Sequence, residues 1–172
     1  MKNLLLFTLS FCFAQFSSAQ DETWYTDVTI NTQLSNKYGT KMYVADVNGD
    51  DYEDLFTIET KNNTEYFNDR QTLHLYLNVK NDTTGGRMFK DVSQESGIWS
   101  NVDPADTGRR TTVMALADVD NDGDIDMVTA HYFHRFSSFN DIGDRAEVLL
   151  NDGNGFFSIK LDNGLHELGA MN

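Results

Sequence analysis

The sequence predicts an all-β fold built from a repeated four-stranded unit, and three observations predict it. Short runs rich in apolar and β-branched residues recur with turn chemistry between them, and none continues with the period of an amphipathic helix. An acidic nonapeptide, Asp118-Val119-Asp120-Asn121-Asp122-Gly123-Asp124-Ile125-Asp126, has a second copy upstream, Asp46-Val47-Asn48-Gly49-Asp50-Asp51-Tyr52-Glu53-Asp54. An aromatic-x-Asp-Val-(Thr/Ser) run also recurs, at Tyr25-Thr26-Asp27-Val28-Thr29 and again at Phe89-Lys90-Asp91-Val92-Ser93. A weaker third occurrence is Phe156-Phe157-Ser158-Ile159-Lys160. The chain therefore divides into residues 25–88, residues 89–156 and the start of a third unit at 157–172.

Residues 1–19 stand apart from the fold. Lys2 precedes an apolar run from Leu4 to Ala14, and Ser17-Ser18-Ala19 offers small residues where a signal peptidase reads, so cleavage after Ala19 and a secreted product are expected. The apolar run is about half of the roughly 20 residues that cross a bilayer. Cys12 follows the bulky Phe11, which argues against a lipid-modified cysteine, and it is the only cysteine. The secreted part then has no disulfide and relies on its core, a metal or a partner.

The elements follow in order. Trp24 to Thr29 reads as an opening strand. Lys41 to Ala45 leads into the first acidic loop and Leu55 to Ile58 leaves it, so the loop joins two neighbouring strands like a hairpin turn. Leu73 to Asn78 follows after a variable connection. Val79 to Met88, with Gly85-Gly86, then leads to Met88 to Ser93. In the second unit Val113 to Ala117 and Met127 to Ala130 flank the acidic loop, and Ala146 to Asn151 runs through Asp152-Gly153-Asn154-Gly155 into Phe156-Phe157. Gln94 to Arg110, with the only proline, Pro104, reads as a surface loop. Four strands per unit at this repeat length fit β-propeller blades. Propellers close with four or more blades, whereas about two and a third are present, so further blades are expected in a longer parent chain or, failing that, from self-assembly.

Charge narrows the partners. Loss of Lys2 with the leader takes the formal charge from -14 to -15, which disfavours nucleic acid and anionic membranes. Of the 27 acidic residues 20 are Asp, the side chain that suits tight turns and compact metal cages. Acidic side chains at alternate positions of a bent loop converge their oxygens, as a hard cation requires. An EF-hand would need a bidentate Glu at position twelve, where these loops carry Thr57 and Thr129. The nonapeptide periodicity of glycine-rich toxin repeats is absent.

The aromatic-x-Asp-Val run, the segment from Ala117 to Val128 and the segment from Val148 to Phe157 together resemble the FG-GAP-like (VCBS) repeat, whose copies form blades of integrin-α-type β-propellers. With Ser96-Gly97-Ile98 behind Phe89-Lys90-Asp91-Val92, the likeness is greatest to the cartilage acidic protein branch. The resemblance implies that Asp118, Asp120, Asp122 and Asp126 ligate Ca2+ through side chains while Asp124 supplies a main-chain oxygen. In the first loop it implies Asp46, Asn48, Asp50 and Asp54, with the carbonyl of Tyr52. Asp51 stands where the repeat carries glycine, and Asn48 contributes an amide, so weaker binding is expected there.

His131-Tyr132-Phe133-His134-Arg135-Phe136 has too few ligands for zinc. Its aromatics and Arg135 suit recognition of a sugar or peptide, or packing against a neighbouring blade. Asn62 and Asn81 head glycosylation sequons. The expected function is a secreted calcium-binding module for extracellular binding or adhesion, taking a protein or carbohydrate ligand, with calcium structural and no enzymatic activity. The alternative is a fragment of a polysaccharide-degrading propeller enzyme using two carboxylates. Glu59, Glu65 and Glu147 lie outside the loops, but no pattern pairs them and no nucleophile motif is present.

Overall fold

The computed structural model describes residues 27–59, 71–100, 109, 111–130 and 146–162. These residues form eight strands and no helix: β1 (Lys41–Ala45), β2 (Asp54–Ile58), β3 (Leu73–Lys80), β4 (Arg87–Asp91), β5 (Val113–Ala117), β6 (Asp126–Ala130), β7 (Glu147–Asn151) and β8 (Phe157–Ile159). They make two four-stranded antiparallel sheets, each a meander in chain order. Apart from the opening run, the expected runs are strands within a residue or two of their ends. In place of the longer connection expected at 79–88, β3 and β4 extend and leave a turn at 81–86 with Gly85 at φ 75°. Among the described residues no helix is long and apolar enough to cross a membrane. The leader at 1–19, Trp24 to Thr26, Asn62, Glu65, Pro104, the run from His131 to Phe136 and residues 163–172 lie outside the described residues.

The opening strand is corrected where it can be seen. Asp27 and Val28 belong to no strand and Thr29 begins a turn, because the Asp27 carboxylate accepts from the N–H of Thr29 (2.9 Å) and Thr32 N–H bonds the Val28 carbonyl (2.9 Å). The same chemistry recurs in the second copy of the run, where Asp91 accepts from Ser93 N–H (3.1 Å) and Ser96 N–H bonds the Val92 carbonyl (2.8 Å). Local side-chain bonds of this kind compete with a strand ladder. Both turns then dock on a last strand: Phe89 N–H donates to the Thr32 carbonyl and Phe157 N–H to that of Ser96. The motif's strand, β4, pairs with β3, so the sequence repeat and the sheet are out of phase by one strand.

One core lies between the two sheets. Phe56, Ile58, Leu73 and Leu75 from the first meet Met114, Met127, Leu149 and Phe157 from the second, with the rings of Phe56 and Phe157 edge to face at 6.1 Å. Register shows which faces these are. Leu55 pairs with Tyr76 as Met127 pairs with Leu149, so the second sheet buries against the first the face equivalent to Leu55 and Tyr76. Strand alternation puts Leu55 and Tyr76 on the side of the first sheet opposite Phe56 and Leu75. The sheets therefore stack front to back, a heterologous arrangement in which, among the described residues, one front and one back meet no further sheet. On that front Leu55, Thr57 and Tyr76 are buried, with Lys37 over the Tyr76 ring and Gly39 packed on Thr57, while the β1 edge, at Met42 and Val44, is 70% and 63% exposed.

Candidate metal centre

Each acidic loop closes a hairpin, from Ala45 to Asp54 and from Ala117 to Asp126. Two left-handed residues bend each one: Gly49 (φ 70°) and Asp51 (φ 66°) in the first, Asn121 (φ 63°) and Gly123 (φ 99°) in the second. The glycine has exchanged places with a polar residue between copies, and Asp and Asn tolerate this conformation. The first residue of each loop ties the bend. Asp46 accepts from the N–H groups of Gly49 (2.8 Å), Asp50 (3.2 Å) and Asp51 (2.8 Å), and Asp118 accepts from Asp122 (3.2 Å) and Gly123 (3.1 Å).

The ninth residue anchors the loop to the sheet. Buried Asp126 accepts from Val119 N–H (2.9 Å) and, on the neighbouring strand, from Asn151 N–H (2.9 Å). Asp54 does the same with Val47 (3.1 Å) and Asn78 (2.7 Å). Burial raises the Asp54 pKa above 3.8, against those two hydrogen bonds and with help from the charges of Asp50 and Asp46. Asn78 and Asn151 close the clamp, donating to the carbonyls of Glu53 (3.1 Å) and Ile125 (3.1 Å). Sequence reasoning missed these asparagines. Their signal was a shared position near the end of the third strand.

In the second loop, Asp118, Asp120 and Asp126 each offer a carboxylate oxygen, and these oxygens lie within 4.8 Å of one another. Asp118 and Asp120 are exposed and Asp126 is buried. Desolvation, then the charges of Asp122 and Asp126, raises the pKa of both Asp120 and Asp124. A cation at the centre would offset this repulsion, and an all-oxygen donor set suits a hard metal ion with oxygen contacts near roughly 2.3–2.6 Å. The carboxylate of Asp122 is turned to Asp124 N–H (3.0 Å), and that of Asp124 lies against Gly153.

No equivalent trio of carboxylates gathers in the first loop among the described residues. Asn48 stands in the place of Asp120, and Asp50 pairs with Arg87 (3.1 Å). Tyr52, the expected carbonyl donor, stacks its ring under the same guanidinium at 3.5 Å.

Of the candidate carboxylates outside the loops, Glu147 and Glu59 have partners among the described residues. Glu147 is 2% exposed and ion-paired to Arg109, itself 1% exposed, so it offers no acid or base to a polysaccharide. Arg109 also donates to the carbonyls of Ile98 (3.2 Å) and Ser100 and to the Thr129 hydroxyl (3.3 Å). Glu59 lies 3.8 Å from His74. Asn81 is buried in its own turn, accepting from Thr83 and Thr84 N–H (3.0 and 3.2 Å).

Fold and site together define an all-β protein of two stacked meander sheets with an acidic hairpin loop able to hold a metal ion. Comparison with protein-family models, with curated proteins and with solved structures finds no match for the chain.

Proposed function

We propose that this is a secreted, calcium-binding β-propeller module of the FG-GAP-like type that binds an extracellular protein or carbohydrate, with calcium as scaffold. The observation that carries the reading is the convergence of Asp118, Asp120 and Asp126 on a hairpin between core strands. Front-to-back stacking of two equivalent sheets supports the propeller part, because a heterologous interface repeated with a closing rotation generates a ring. The hard oxygen donors favour calcium over softer metals, and extracellular modules of this kind work at roughly 0.1–1 mM. Calcium held there would bridge the strand-to-strand loop to the buried Asp126 and fix the entry of β6.

A thermal melt of the purified chain with excess calcium and with chelator tests the role. At a hundredfold excess over Kd the gain is about 2.7 kcal/mol. An unchanged midpoint refutes the scaffold role. Asp120→Ala, which removes one converging oxygen, should abolish most of the calcium-dependent rise. A panel of polysaccharides and extracellular proteins then separates binding from turnover, with binding alone expected.

A further inference from the structure

We infer that Arg87 is a built-in cation of the first acidic loop and the residue that sets the two loops apart in metal affinity; the inference rests on the metal reading above. Its guanidinium lies 3.1 Å from the Asp50 carboxylate, at the fifth loop position, and its Nε donates to the Asn78 side-chain oxygen at 3.0 Å. A further donation reaches the Asn78 carbonyl. Asn78 in turn donates its N–H to Asp54 at 2.7 Å. Arg87 is thus bonded to one expected ligand directly and linked to a second through Asn78. The Tyr52 ring, stacked 3.5 Å from the guanidinium, holds it there by a cation–π contact.

The second loop has no such group among the described residues. Asn78 pairs with Phe89 and Asn151 with Phe157, so the residue two before the phenylalanine is Arg87 in one unit and Gly155 in the other. At Gly155 the same asparagine oxygen is satisfied by a backbone N–H, Gly155 to Asn151 at 3.1 Å. A metal entering the first loop meets a fixed positive charge and must displace it from Asp50. One entering the second meets carboxylates and, among the described residues, no such cation.

Calcium titration calorimetry tests this in a chain whose second loop is silenced by Asp118→Ala and Asp120→Ala. With Arg87 present the remaining affinity should be weak. R87Q should tighten it by at least about tenfold, through removal of a unit charge a few ångströms from the ion. R87K, which keeps the charge, should leave it weak. Equal affinity for Arg87 and R87Q, or tightening by R87K as large as by R87Q, overturns the inference while calcium binding by the unsilenced second loop keeps the metal reading intact. Absence of calcium binding by the unaltered chain overturns the metal reading itself and this inference with it. Circular dichroism checks folding of each variant. If the silenced chain does not fold, R87Q alone is titrated, and a second binding event supports the inference while an unchanged isotherm overturns it.

Discussion

At Asp91 the carboxylate accepts from the Ser93 hydroxyl (2.6 Å), from Ser93 N–H (3.1 Å) and from Lys37 (3.1 Å). Burial pushes its pKa up, but these donors outweigh burial and hold it below 3.8. A carboxyl lowered by folding contributes stability above its unfolded pKa and loses it as pH falls through the folded one. The unaltered chain should therefore lose this contribution on acidification below about pH 4. Asp91→Ala should cost about 1 kcal/mol at neutral pH and have no such contribution to lose. Denaturant unfolding at both pH values measures each part. Glu147→Ala tests a harsher case, since it leaves Arg109 buried without its partner, and should cost roughly 3–5 kcal/mol in the same assay. Neither member of that pair was legible in the sequence. One acid in a strand and one arginine in a polar stretch carry no local pattern, and only the fold brings these distant positions together.

Strands and acidic loops were legible because their chemistry is local. Alternating apolar residues announce a ladder, and Asp, Asn and Gly announce the bends between. The segment at Asp27 to Thr29 misled for a related reason: its β-branched residues favour a strand, but the Asp27 carboxylate bonds its own backbone first. Arg87 was invisible as part of a loop because Asp50 lies 37 residues away. Glycines show how two turns differ in tolerance. A Cβ on Gly97 (φ 76°) would sit 2.2 Å from the Phe157 carbonyl oxygen, whereas one on Gly123 (φ 99°) would meet nothing within 4 Å. Gly123→Ala should cost the backbone strain alone, about 1–2 kcal/mol. Gly97→Ala should cost distinctly more, as β8 must shift, and chemical denaturation of the two variants checks the order.

The two sheets treat equivalent residues differently according to what stacks on them. Val47 is 1% exposed between the sheets, and its counterpart Val119 is 40% exposed. Val47→Ala should cost about 2 kcal/mol and Val119→Ala no more than about 0.5 kcal/mol; chain variants in which a further sheet joins the open back should make the two costs converge. That sheet order was not legible beyond the repeat itself, because periodicity states which strands recur but not which face meets which. The stack also gives the molecule a direction, since the second sheet braces the first loop through Asn151 Nδ2, which donates to the Val47 carbonyl at 2.8 Å across 104 residues. At about 5–20 residues per second of synthesis, the brace arrives roughly 5–20 s after the loop it holds. Arg87, only 37 residues from Asp50, emerges much earlier. During that interval Arg87 is the group at hand to balance the charge of Asp50, before the second sheet arrives to cover Val47.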